Sequence, residues 1–210
     1  MKTMMMTAAI VAAVAGGPAA AQDATRLIGE GVRVELTAGY DSVVSDDDLD
    51  GADDDIPDDL TSARVGIALG YDWPVSDRWS VGVELGWGKS ISGGIDASFG
   101  RDRLRLELGR DLDAAVRVGY RANPGLLLYV RAGYANSAAV IRYDEWLGNR
   151  YETTRIRDAS GGLRVGGGIE AALTSRLYAK AEYRRTAYGD LSYQPDAARH
   201  QLLAGAGLRF

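Results

Sequence analysis

The chain has 210 residues, with 24 basic against 29 acidic side chains, one histidine and no cysteine. A net charge of −5 gives no electrostatic reason to expect a nucleic acid partner. The missing cysteines exclude a disulfide framework or a thiol site, and one histidine cannot form a histidine metal cluster.

The N-terminus carries an export signal. Lys2 is the only charge before Asp23, and the apolar run 4–15 is broken only by Thr7. Gly16, Gly17 and Pro18 follow, then Ala19, Ala20 and Ala21. A charged start, a short apolar run and a small-residue cleavage site define a secretory signal over 1–21, whose apolar run of about a dozen residues is too short to span a bilayer. The expected mature domain is 22–210, with 23 basic against 29 acidic residues. It contains no run near the roughly 18 apolar residues a membrane helix needs.

From there the hydrophobic period is two. Val32, Val34, Leu36, Ala38 and Tyr40 alternate with Arg33, Glu35, Thr37, Gly39 and Asp41. The same alternation runs through 63–72, 79–88, 104–120, 126–134, 163–173, 177–183 and 200–210. Eight such segments of about ten residues match the signature of transmembrane strands. Alternation also fits a soluble sandwich or a lipocalin-like barrel, whose apolar face points inward. Three features favour a lipid-facing barrel instead. Short links at 73–78, 121–125 and 174–176 alternate with longer ones at 42–61, 89–102, 142–159 and 186–199. Tyr71, Trp73, Trp79, Tyr120 and Phe210 gather at the short-link end, and Tyr40, Trp87, Tyr134 and Tyr183 at the other. The second face is also too charged for a soluble core. The expected fold is all-β, an eight-stranded antiparallel up-and-down barrel in a Gram-negative outer membrane.

On that reading Arg33, Arg64, Arg105, Arg117, Arg131, Arg164, Lys180, Arg184 and Arg209 point into the lumen with Glu35, Glu84, Glu107, Glu170 and Glu182. An eight-stranded barrel is just wide enough for side chains to fill it. Arginine forks bridging carboxylates would therefore plug the lumen, while the basic surplus leaves a weak anion path open as an alternative.

The connections carry little chemistry. Asp46, Asp48, Asp50 and Asp54 occupy positions 1, 3, 5 and 9 of a calcium-loop spacing with Gly51 at 6, but Pro57 stands where the bidentate glutamate belongs. A solvated acidic loop is the preferred reading, and a Ca2+ site the alternative. Leu104 to Leu108 extend the fourth segment beyond Arg110, in position to pair with Ala138 and Val140 as a ribbon above the surface. Trp146 and Tyr151 among Arg150, Arg155 and Arg157 make a basic–aromatic tip, either adhesive, in contact with lipopolysaccharide, or simply solvated. Gly161-Gly162 and Gly166-Gly167-Gly168 lack the Lys-Ser/Thr of a phosphate loop.

The C-terminal run from His200 to Phe210 resembles the closing strand of opacity-protein-like, porin-family outer-membrane barrels, and the whole mature chain is similar to that eight-stranded family. Phe210, Leu208 two residues before it and Gly205 are similar to the signal read by the barrel-assembly machinery. Leu203 stands where members often carry a polar residue. The resemblance implies outer-membrane delivery and no particular activity. Since the sequence ends with the closing strand, the periplasmic peptidoglycan-binding domain of longer OmpA-like proteins is not expected.

His200 invites comparison with small barrels that deacylate lipid A through His, Ser and Glu, but Gln201, Leu202 and Leu203 follow it and no serine is adjacent. An aromatic at the membrane interface is the preferred reading. The expected function is a non-enzymatic structural or surface-interaction barrel contacting outer-membrane lipid, lipopolysaccharide and host or cell-surface ligands. A narrow solute channel is the alternative, and a lipid-modifying enzyme ranks below it.

Overall fold

Residues alternating between water-avoiding and charged types satisfy both sides of a sheet only if lipid covers one face and the other closes on itself. The computed structural model describes residues 29–45, 59–92, 95–99, 101–148, 150–188 and 197–210 and follows this logic. The strands are β1 (Gly31–Ser45), β2 (Asp59–Pro74), β3 (Trp79–Ser90), β4 (Ile95–Phe99), β5 (Asp102–Asn123), β6 (Leu126–Trp146), β7 (Tyr151–Ala172), β8 (Leu177–Tyr188) and β9 (Ala197–Arg209).

All pairings are antiparallel, and β1 closes against β9 with Val34 opposite Leu208. The ring runs β1-β2-β3-β5-β6-β7-β8-β9, eight strands without a free edge. β4 lies outside the ring, pairing with the outer half of β5. Backbone bonds between Val32 and Phe210, at 2.8 and 3.1 Å, seal the seam at the short-turn end.

The outward face is the apolar one. Leu36, Ile67, Leu85, Val130 and Leu163 are more than half exposed, while the alternate positions are buried. At the short-turn end Tyr71 stacks on Trp73 and Trp79 on Tyr120, with centroids 4.7 and 4.9 Å apart. Tyr40, Trp87, Tyr134 and Tyr183 stand exposed toward the other end. Both belts fall where interfacial aromatics gather.

The structure lengthens the expected strands. Most of 142–159 is strand, because β6 and β7 pair without interruption from Leu126–Ala171 to Trp146–Tyr151 and turn within 147–150. The polar alternation there carries no apolar stripe, so hydrophobic period alone hid it. The anticipated ribbon exists, with Glu107 opposite Val140 and Leu108 opposite Ala139.

β5 also breaks phase. Between Leu108 and Asp111 its register with β6 shifts, so Gly109 and Arg110 oppose the single residue Ala138. Such a bulge inverts the facing of everything beyond it. Arg105, expected in the lumen, is therefore exposed on the ribbon opposite Arg142. Glu107 also lies beyond the bulge, on the stretch of β5 that pairs with the ribbon at Val140.

Candidate functional site

Inside the barrel, Arg33, Glu35, Arg64, Glu84, Arg117, Arg131, Arg164, Glu170, Lys180, Glu182, Arg184 and Arg209 are all buried. Asp41, Asp72, Asp111, Asp113 and Arg199 join them, giving nine cations against eight carboxylates among the described residues. The basic surplus expected from sequence thus shrinks to one charge. Asp41, Asp72 and Arg199 lie close to strand ends, where charge ordinarily signals a loop. Asp111 and Asp113 sit in the inward phase beside Arg117, and strict alternation marks them.

The ions form one connected set. Near the short-turn end Arg209 bridges Asp72 at 2.8 Å and Glu170 at 2.6 Å, and Arg117 reaches Glu170 at 2.7 Å. Arg117 also lies over the Tyr129 ring, 4.2 Å from its centroid. Arg33 contacts Glu84 at 2.6 Å, Glu35 at 3.0 Å and Asp72 at 3.2 Å. Lys180 joins Glu35 to Glu182, and the Tyr178 and Tyr129 hydroxyls donate to the same two carboxylates.

At mid-height Arg131 connects Glu84, Glu182 and Asp113, and Arg184 contacts the same three carboxylates. Above them Arg164 grips Asp111 through two bonds of 2.8 and 2.9 Å, and its Nε donates to Thr186. Arg64 adds a contact to Asp111 at 3.1 Å, while Arg199 and Gln201 hold Asp41. Every one of the nine cations touches a carboxylate. Bidentate and charge-assisted bonds are the strongest of their type.

The ribbon presents a second site. Arg105, Arg142 and Arg155 stand directly opposite one another across β5, β6 and β7. Two rows nearer the tip, Trp146 and Tyr151 stack at 4.8 Å, with Arg101 over the Trp146 ring and Arg103 over the Tyr151 ring at 5.8 and 5.7 Å. Asp102 fastens this tip, accepting from the Tyr143 hydroxyl at 3.0 Å and the Trp146 backbone N–H at 2.8 Å. The hydrogen bond to Asp102 raises the Tyr143 phenol above its ordinary pKa. Because β6 keeps one phase throughout, this basic–aromatic face continues the lipid-facing side of the barrel wall.

Other sequence candidates fall as follows. Asp46, Asp48, Asp50 and Asp54, and the signal segment 1–21, lie outside the described residues. Gly205 and Leu208 lie on β9, Phe210 directly follows it, and the side chains of Leu208 and Phe210 face outward and exposed. Leu203 points into the lumen, 2% exposed. His200 Nδ1 is 2.6 Å from the Tyr183 hydroxyl. The register also sets Ser42 of β1 directly opposite His200, a neighbour invisible to a search along the sequence.

A closed sheet with an apolar, aromatic-banded exterior and a charge-filled interior defines a transmembrane β-barrel. The chain belongs to the family described as "Outer membrane protein beta-barrel domain", whose profile matches residues 7–210. It is 30% identical over 148 residues to the 25 kDa outer-membrane immunogenic protein of Brucella abortus, covering 61% of this chain and 65% of that protein. The 22 kDa outer membrane protein of Rhizobium leguminosarum bv. viciae is 29% identical over 151 residues, 69% of this chain and 64% of its own length. The match thus spans slightly less than two thirds of these relatives. Among solved structures, Neisserial surface protein A aligns with a TM-score of 0.55 at 18% identity, covering 86% of this chain and 98% of that one. A major outer membrane protein of Thermus thermophilus aligns at 0.53 and 13% identity, covering 86% and 100%. These likenesses share the fold. The protein is an outer-membrane, multi-pass barrel.

Proposed function

We propose that this protein is a non-conducting, non-catalytic envelope barrel that stabilises the outer membrane and offers its β5–β6–β7 ribbon as a surface contact. The observation that carries the reading is the connected ion network, which pairs every lumen cation among the described residues with a carboxylate and crosses the barrel from wall to wall. A channel needs mobile counter-ions and space, and cross-linked side chains supply neither.

The surface role rests on the ribbon. Exposed arginines interleaved with a stacked Trp–Tyr pair suit anionic, sugar-bearing or aromatic partners, a composition enriched at interaction hot spots. The non-catalytic part rests on His200. Its Nδ1 is held by a phenol rather than a carboxylate, and among the described residues it makes no hydrogen bond to Ser42. Leu208 and Phe210, presented outward beside the β1 seam, are the surface offered to the barrel-assembly machinery.

Planar-bilayer recording of the purified protein tests the closed lumen. Only rare, non-selective flicker is expected. Steady solute-sized conductance would replace this reading with the channel. Comparing cell binding and envelope integrity of a deletion strain with a strain lacking only 101–108 and 139–158 separates the ribbon's role from the barrel's.

A further inference from the structure

The lipid-facing wall is not uniformly convex. An open apolar groove of about 850 Å³ runs from Val32 of β1 across β2, β3, β5 and β6. Ala114 and Ala132 create it, each standing in a row with larger neighbours. One row is Leu85–Ala114–Tyr134, the next Val83–Val116–Ala132. Leu85 and Tyr134, 63% and 58% exposed, form its walls. Its almost wholly apolar lining suits a hydrocarbon chain lying against the barrel.

Directly up the same strand pair, Trp87 opposes Leu112, and then Lys89 opposes Arg110. Lys89 and Arg110 stand about 13 Å along the strands from the Leu85–Ala114 row. Both are exposed, and among the described residues neither forms an ion pair. Like charges directly opposite one another destabilise a sheet. Arg110 also belongs to the β5 bulge, where it and Gly109 face the single residue Ala138 of β6. The pair stands one step above Trp87 of the outer aromatic belt, the depth of the lipid headgroups.

We propose that this face binds the lipid anchor of lipopolysaccharide, with a glucosamine phosphate on Lys89 and Arg110 and an acyl chain along Ala114 and Ala132. The inference rests on the outer-membrane location and not on the ribbon's surface role. Charge complementarity selects the occupant: two adjacent cations at headgroup depth match a phosphomonoester, and the groove beneath them matches its attached chains. A zwitterionic phospholipid offers less negative charge, and a second copy of this chain would set Lys89 and Arg110 near their own likenesses.

Native mass spectrometry of the full-length protein in detergent provides the test. Three probes are added in turn: bis-phosphorylated lipid A, the same lipid A dephosphorylated, and phosphatidylglycerol. Wild-type barrel is expected to retain one bis-phosphorylated lipid A preferentially. Lys89→Gln with Arg110→Gln should weaken retention roughly tenfold or more. Ala114→Leu with Ala132→Leu, which fills the groove, should weaken binding of both lipid A forms. Heat-modifiable migration on gels verifies that each variant folds, and both substitution sets lie on the outer face, away from the lumen network. Equal retention of dephosphorylated lipid A or of phosphatidylglycerol overturns the proposal, as does retention unaffected by either variant. A dimer mass that disappears in the Ala114→Leu, Ala132→Leu variant would assign the groove to a second copy and overturn it as well.

Discussion

Arg184 on β8 and Glu84 on β3 meet at 3.5 Å although their strands stand four places apart in a ring of eight. No two walls of this barrel are farther apart, so the contact spans its diameter. Glu84 also receives Arg33 at 2.6 Å and Arg131 at 2.9 Å. Its removal would leave three buried guanidiniums short of a counter-charge. Glu84→Ala should lower unfolding stability in detergent by about 3–5 kcal/mol, and Glu170→Ala by a similar amount through Arg117 and Arg209. Denaturant titration followed by tryptophan fluorescence measures both. Wild-type stability in either variant would mean its ion contacts are dispensable.

Gly70 provides a second measurement. An added Cβ there would lie 2.6 Å from Cζ of Arg33. Arg33 is wholly buried and bound to three carboxylates, so it has no room to withdraw. Gly70→Ala should cost about 1–3 kcal/mol and reduce the heat-modifiable folded fraction. Gly125→Ala, at a turn where an added Cβ meets only Asn123 at 3.8 Å, should be close to neutral.

The arginine row of the ribbon should trade stability for binding. Arg142 lies between Arg105 and Arg155, and like charges so placed repel. Arg142→Thr is expected to stabilise the ribbon by about 0.2–1 kcal/mol. Slower amide exchange across 138–146 and 151–158 would record it, with the gain shrinking at high salt. The same substitution should weaken adhesion to an anionic surface. Faster exchange in the variant would mean the row is held by attractive contacts instead.

His200 provides the enzymatic control. His200→Ala and Ser42→Ala should each leave the acyl chain count of lipid A unchanged in mass spectra of cells carrying the variants. A wild-type-dependent loss of one chain that disappears in both variants would make the pair catalytic and end the non-enzymatic reading.

The barrel strands were legible because lipid imposes a strict requirement. Val32, Val34 and Leu36 must face one way, and Arg33 and Glu35 the other, so the inward set follows from counting by two. Counting failed at Arg105, because Gly109 and Arg110 insert a residue that composition does not announce. It also failed over 142–159, since water on both sides of the ribbon removes the hydrophobic contrast that marks a strand. The lumen partners needed the register itself. Glu84 and Arg184 are 100 positions apart, and nothing in either neighbourhood names the other. The Lys89–Arg110 pair was equally hidden, because each side chain alone is an ordinary surface cation.

The bulge at Gly109–Arg110 has a further effect on how the molecule can change. Below it, any inserted or deleted residue turns side chains between hydrocarbon and lumen and is ruinous. Above it, β5 and its partner β4 follow a shifted frame, while β6 and β7 keep theirs with water on both faces. The exterior can therefore be rewritten, lengthened or exchanged for foreign sequence without disturbing the frame of the wall. This separates a frame-bound anchor within the membrane from a replaceable crown above it.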